Sequence, residues 1–352
     1  MPNALTNSYR LPAEWEAHAA CWLAWPHDKI SFPPKHIENV EKKYIEIIKT
    51  LTESEKVFLL VLNEEMKRKM SGMLKQESVD TSKITFYVTD YADVWLRDYG
   101  PMFVTDAGNQ KLAWIKWQYD AYSKKFPALL KDNQVFYNLK EKINASMLEN
   151  NMVLEGGAIE QNGQGTIMTT EQCLLNSGRN SNLTKEQIEN NIKNFLGAKK
   201  IIWLPRGLAN DHTDGHIDDI ARFVSPNKIL CAYENDRKNQ NYKILDDNYK
   251  IFQNSTDVNG KKFEIVKLPM PHMRYDKNKP FEAGSLAPAS YTNFYIGNTV
   301  VLVPIYNDIN DAEALKTIQS CFPNRKVKGV DSRDLIYGGG SIHCMTREQP
   351  AL

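Results

Sequence analysis

Short apolar runs set the architecture of this chain. Residues 57–62 (Val-Phe-Leu-Leu-Val-Leu), 84–89, 165–170, 228–233, 263–268, 292–297 and 299–304 each have strand length, and none reaches the span of a long buried helix. The last two meet at Gly297-Asn298, a two-residue hairpin signal, and Ser225-Pro226-Asn227 joins 221–224 to 228–233. Single amphipathic helices fall between them. Residues 35–52 carry Ile37, Val40, Tyr44, Ile47 and Leu51 at steps of three and four. Thr184 and Gln187 form a capping-box pattern ahead of Ile188, Ile192 and Phe195, with Gly197 as the stop. Asp311 opens a third helix that turns Ala312, Leu315, Ile318 and Phe322 inward and halts at Pro323. Hairpins alternating with lone helices predict a mixed α/β fold of small repeated units, not a doubly wound parallel sheet. With no repeat, low-complexity tract or linker, residues 1–352 read as one domain.

A net charge of +1 supplies no field for nucleic acid or anionic lipid, so neither is an expected partner. No apolar run approaches a membrane span, and Met-Pro-Asn-Ala-Leu-Thr-Asn at the start lacks the pattern of a signal peptide. The five cysteines (Cys21, Cys173, Cys231, Cys321, Cys344) are odd in number and never spaced C-x-x-C. That argues against a disulfide framework and a structural zinc site, and for a cytoplasmic protein. Cys231 and Cys321 read as small buried hydrophobes.

Cys344 is different. It follows Gly338-Gly339-Gly340-Ser341-Ile342-His343, and three glycines permit sharp turns and close approach by another group. A cysteine delivered this way is a candidate nucleophile.

Four further segments crowd polar residues into strand ends and turns: Trp95-Leu96-Arg97-Asp98-Tyr99-Gly100-Pro101, Glu155-Gly156-Gly157, Asp211 to Asp219, and Ser290-Tyr291-Thr292-Asn293. The third is open to three readings. It could be a solvated acidic loop, or a metal site using His212 and His216. It could also hold a general acid/base, His216, with Asp218 two residues on. Zinc ligands four apart need a helix, which Gly215 and the Thr-Asp-Gly turn disfavour. In a strand, His216 and Asp218 would share a face and enter one pocket. Singly, Asp98 beside Arg97 could be a surface pair, Glu155 a turn residue and Asn293 a strand cap.

Together they describe one thiol, one histidine and three carboxylates between aromatic walls. Carboxylates raise a thiol pKa and oppose an oxyanion, so this set suits no protease. It suits a cationic substrate, because two aspartates can grip the edges of a planar guanidinium and hold its carbon over a sulfur.

These motifs resemble those of the agmatine deiminases and related bacterial peptidylarginine deiminases, in the guanidine-modifying superfamily. The likeness runs from Leu11-Pro12-Ala13-Glu14-Trp15-Glu16 and Trp22-Leu23-Ala24-Trp25-Pro26 through the four segments, and closes on Gly338 to Cys344. It implies a five-bladed α/β propeller (pentein) of ββαβ-type units around a central site. It also implies Cys344 as nucleophile, His216 as general acid/base, Glu155 orienting His216, and Asp98 and Asp218 binding the guanidinium. Trp95 would wall the substrate chain and Asn293 line the site. The implied activity is hydrolysis of agmatine to N-carbamoylputrescine and ammonia in putrescine (polyamine) biosynthesis, through a cysteine amidino-thioether, with no metal or organic cofactor. Homodimers or larger assemblies are common among such proteins. The chain departs from the family pattern at Ser341 and Arg347-Glu348, where substrate preference could change. Free arginine or peptidyl-arginine is the rival substrate, an amidinotransferase or a silent guanidine-binding protein the rival class. Glu14 and Asp28 are candidates for the far amine of agmatine.

Overall fold

A computed structural model of the chain describes residues 9–29, 31–106, 108, 110–276 and 284–352. The N-terminal stretch read above for a leader, residues 1–7, lies outside the described residues.

The described strands form five separate sheets. Three share one pattern: an antiparallel hairpin, a helix, then a strand that returns parallel to the second hairpin strand. Ala221–Ser225, Lys228–Tyr233 and Glu264–Pro269 do this around the helix Tyr242–Asn254. Tyr295–Ile296, Val300–Ile305 and Lys326–Asp331 do it around Asp311–Cys321. Ile159–Gln161, Thr166–Thr170 and Lys200–Leu204 do it around Lys185–Leu196. A fourth sheet pairs Tyr9–Arg10, Met102–Asp106, Leu112–Gln118 and Ser146–Val153. The fifth unites the ends of the chain. Arg347–Pro350 runs antiparallel to His18–Ala24, which continues in parallel to Lys56–Val61 and Ile84–Val88.

Local chemistry explains why the expected elements form. Thr184 and Gln187 complete a reciprocal capping box, and Gly197 ends that helix at φ 68°. The 34–51 helix starts behind Pro33 and buries Val40, Tyr44, Ile47, Ile48 and Leu51 against the fifth sheet. Each such aliphatic side chain contributes roughly 1.5–3 kcal/mol when fully buried. The 297–298 hairpin is shifted by one residue from expectation: Gly297 N–H bonds Val300 carbonyl, leaving Asn298-Thr299 as the turn. The strand before it is only Tyr295–Ile296, so Asn293 sits in a turn and not in a strand. All five cysteines are free, and Cys321 is partly exposed, not buried as expected, because it lies on the last turn of its helix. Among the described residues no helix is long and apolar enough to cross a membrane.

Candidate active site

Asp98 stands on the single helical turn Leu96–Tyr99, buried throughout. Its neighbour Arg97 points the other way, to Glu348 Oε2 at 2.6 Å and the His343 carbonyl at 3.2 Å, so the two are not a surface ion pair. Asp98 Oδ1 accepts from Gly157 N–H at 3.0 Å and Oδ2 from the Tyr122 hydroxyl at 2.8 Å.

Gly157 is the hub. A β-carbon there would lie 2.6 Å from His216 Nδ1 and 3.0 Å from both Asp218 Oδ2 and Asp98 Oδ1. Three of the residues expected in the site thus converge on one point that only glycine leaves open.

His216 and Asp218 reach that point by a different route from the one expected. They do not share a strand face. Asp211 caps a turn by accepting from Thr213, Gly215 and His216 N–H, Asp214 and Gly215 take positive φ, and Ile217–Asp219 closes as a 3₁₀ turn. Two left-handed residues in succession prevent an extended run from starting before His216. His216 is extended and its neighbours coil, so both side chains still face the same space.

Cys344 occupies the short helical turn Ile342–Met345. Asn293 brackets it: its Oδ1 accepts from His343 N–H at 3.0 Å, and its Nδ2 lies 3.1 Å from the Cys344 sulfur and 2.9 Å from Asp219 Oδ1. Asp218 Oδ2 lies 3.8 Å from the same sulfur. The glycines before Cys344 do more than turn the chain. A β-carbon on Gly338 or Gly340 would come within 2.9 Å or 2.6 Å of the Trp95 ring, and Gly339 takes φ 103° against His212. Trp95, Tyr122, Phe126 and Leu129 wall a narrow cleft that ends at Asp98 and Cys344.

The electrostatics separate the two aspartates. Burial pushes Asp98 up, partly opposed by His216. Asp218 is also desolvated, yet its hydrogen bond with His343 leaves it below the ordinary carboxylate range. Burial alone would lower His216, but the Asp98 charge, the Cys173 thiol beside the ring and Glu155 carry it up to about 10. Burial, then Asp218, Asp219 and Asp98, push the Cys344 thiol well above its usual value. Without substrate this is a site of a protonated thiol and a protonated imidazole.

Glu155 lies behind His216, with Oε1 held by Arg179 Nε at 2.8 Å and Oε2 unpaired. Glu155, Cys173 and His216 bring a carboxylate oxygen, a sulfur and an imidazole nitrogen within 4.8 Å of one another, a set that could hold a metal. A cation there would sit beside the fixed Arg179 guanidinium, which also bonds Asp214 Oδ2 at 2.9 Å. His212 lies at the cleft wall, apart from this trio.

Two expectations about specificity do not hold. Glu14 cannot serve a substrate amine, because it is buried on Arg222 at 2.8 Å and His343 at 2.9 Å. Arg347 and Glu348 belong to the same buried charge cluster and do not line the cleft. Sequence reasoning missed Tyr122, Arg179 and Cys173 altogether, and gave His343 no part.

Residues 10–350 match the family model described as Porphyromonas-type peptidyl-arginine deiminase. The chain belongs to that family. It is 32% identical to the agmatine deiminase of Medicago truncatula, covering 98% of this chain and 97% of that one. Among solved structures, the agmatine deiminase of Enterococcus faecalis superposes with a TM-score of 0.88 at 30% identity, covering 98% and 96% of the two chains. A cysteine-to-serine variant of the C. jejuni agmatine deiminase, with substrate bound, superposes at 0.85 with 31% identity, covering 97% and 96%. The family's α/β fold extends over the whole described chain.

Proposed function

We propose that this protein is an agmatine deiminase, a hydrolase that converts agmatine to N-carbamoylputrescine and ammonia. The observation that carries this reading is the convergence of Asp98, Asp218 and His216 on the Gly157 point, beside the Cys344 sulfur at the end of an aromatic cleft. Full-length relatives and structural neighbours named agmatine deiminase support it.

The guanidinium docks between Asp98 and Asp218. Its positive charge offsets the carboxylates that hold the Cys344 proton, and that proton leaves to solvent. The thiolate adds to the guanidinium carbon, with Asn293 Nδ2 donating to the sulfur beforehand. As the tetrahedral adduct collapses, the C–N bond breaks and the His216 imidazolium protonates the departing nitrogen, which leaves as ammonia. Neutral His216, oriented by Glu155, then takes a proton from water. The hydroxide adds to the amidino-thioether carbon, the C–S bond breaks as the new hydroxyl gives its proton to solvent, and the neutral ureido product leaves with the thiolate restored. Trp95 walls the methylene chain.

Agmatine is favoured over free or peptidyl arginine by the cleft lining. Its described lining residues include no lysine or arginine to meet an α-carboxylate. Nearby Lys125 is paired with Asp214. Ser31, on the cleft wall, is bonded to Asp28 at 2.7 Å and to Asp93 at 2.5 Å behind it; burial pushes Asp93 up to about 7, so an ammonium docked at that end would draw it into its charged form. We further infer that the five sheets are the five blades of a pentein propeller and that residues 1–352 form one catalytic domain. The repeated hairpin–helix–strand units and the tie between the chain's two ends support this.

Ammonia and ureido product should be measured with agmatine, arginine and an arginine-terminated peptide. Agmatine should lead in kcat/KM by at least about 100-fold, the scale of leaving one charged group, here an α-carboxylate, unsatisfied. Preference for the peptide would overturn the reading. Cys344→Ser should bind agmatine and release no ammonia, whereas Asp98→Asn should lose binding and chemistry together.

A further inference from the structure

Behind the cleft, eight charged side chains from distant parts of the chain, all buried except the partly exposed Glu348, form one cluster: Glu14, Glu160, Asp218 and Glu348 against Arg97, Arg222, Arg347 and His343. Of these, Asp218 lies beside the Cys344 sulfur, at 3.8 Å, and His343 is its hydrogen-bonded link to the rest. His343 Nδ1 lies 2.7 Å from Asp218 Oδ2, and Nε2 lies 2.9 Å from Glu14 Oε2. A neutral imidazole has one N–H, so it cannot donate to both carboxylates, whereas the imidazolium can. Charge counting agrees: four carboxylates meet three guanidiniums, and a charged ring completes the balance among the described residues.

Glu14 explains why the ring stays fixed. Its Oε1 accepts from Ile296 N–H at 2.7 Å and its Oε2 from Arg222 at 2.8 Å, with Arg97 3.6 Å away. This gives the N-terminal Leu11–Glu16 motif, far from the cleft, a reason to exist.

We propose that His343 is a positioning residue for the reaction: an imidazolium shared between Glu14 and Asp218 that holds Asp218 as a carboxylate aimed past the Cys344 sulfur. Asp98 is held more loosely: its hydrogen-bond donors are an amide and a phenol, and the His216 imidazolium stands 3.8 Å from its Oδ1, beyond hydrogen-bond distance. Asp218 is therefore the standing anion that captures the guanidinium, and Asp98 the carboxylate whose charge follows substrate and His216. The inference rests on the guanidinium-binding role given to Asp218 above. Other charged or titratable groups facing Asp218 are His216, Asp219, Arg222, Arg97, Asp98 and Cys344.

The test is agmatine binding by calorimetry from pH 3 to 9, a window that includes the Asp218 titration, in the Cys344→Ser background, which needs no turnover. Adding His343→Gln, a neutral donor, should weaken binding at least about 10-fold near neutrality, the scale of a lost charged hydrogen bond. The acid-side loss of affinity should also begin about one pH unit higher, because Asp218 now protonates more easily. Glu14→Gln, which never touches Asp218, should move the same limb in the same direction by less, and serves if His343→Gln does not fold. A uniform loss of affinity with an unmoved acid limb in these variants marks a merely structural role and overturns the proposal. Failure of Cys344→Ser alone to bind agmatine overturns instead the substrate reading beneath it.

Discussion

Tyr122 donates its hydroxyl to Asp98 Oδ2 across 2.8 Å from a backbone that L-residues avoid. Ala121, Tyr122, Ser123 and Lys124 all have φ between 58° and 62°, one left-handed turn without a glycine. Such a conformation costs roughly 1–2 kcal/mol per residue. Asp120 offsets part of it by accepting from Ser123 N–H at 2.8 Å and, through its carbonyl, from Lys124 N–H at 2.9 Å. Strain held this way beside a reacting group is a device for aiming a side chain.

Tyr122→Phe keeps the aromatic wall and removes only the donor. Its hydroxyl holds Asp98 down against the burial that pushes it up, so its loss moves Asp98 further up. The acid limb of kcat/KM for agmatine should shift to higher pH, with a loss of about 10-fold or more at neutrality. An unchanged pH–rate profile would show that Tyr122 only packs.

Gly157→Ala should be far worse than its size suggests. The added methyl would meet His216 Nδ1 at 2.6 Å, and both aspartates at 3.0 Å, so one of the three must move. A displacement near 1 Å among reacting groups costs on the order of 100-fold in rate. The variant should keep the far-UV circular dichroism of the wild type while its kcat falls by at least that factor. Near-normal kcat would mean that the three groups do not act at one point.

The seven site residues read from the sequence were legible because each sits in a short run of unusual composition. Cys344 follows three glycines, Glu155 precedes two, and Asp98 lies between aromatic residues and Gly100-Pro101. The capping box at Thr184 was legible for a similar reason, since its partners are three residues apart. What stayed hidden depends on contacts without a local signal. His343 and Glu14 meet across 329 positions. Arg179 reaches Glu155 from a turn that shows no pattern, and Ala-Tyr-Ser-Lys gives no hint of a left-handed turn. The strand Ser146–Val153 lacks apolar alternation, because its pairing with Leu112–Gln118 leaves much of it exposed. The His216–Asp218 case is the instructive one. A strand rationale brought together two side chains that the structure also brings together, but by another geometry, because a cap by Asp211 and two left-handed residues override alternation.

His216 should leave a mark on stability as well as on rate. Its folded-state pKa of about 10 lies above the roughly 6.5 of an unfolded histidine. Its contribution is therefore fully present below about pH 6.5 and lost as pH rises toward 10. Wild-type melting temperature should decline across that window, and His216→Gln should flatten the decline. Equal slopes for the two proteins would remove the imidazolium from the resting site.

The state of Cys344 can be read directly. Burial and three aspartates hold its thiol well above the usual range, so at pH 7.5 the resting enzyme should carry almost no thiolate there. Iodoacetamide should alkylate Cys344 more slowly than it does a free cysteine of pKa about 8.5. Burial by itself would also slow the reagent, so the discriminating measurement adds a small cation. Guanidinium or methylguanidinium, bound between Asp98 and Asp218, neutralises the charges that hold the proton. If the carboxylates control ionisation, labelling measured by mass spectrometry should accelerate at sub-saturating cation, where free and occupied sites exchange. It should fall again at saturation, when the cation shields the sulfur. Simple protection at every concentration would show that access, not the carboxylates, governs the thiol. In Asp218→Asn the resting labelling rate should rise and the cation's acceleration should shrink, because one of the charges that the substrate offsets is already gone.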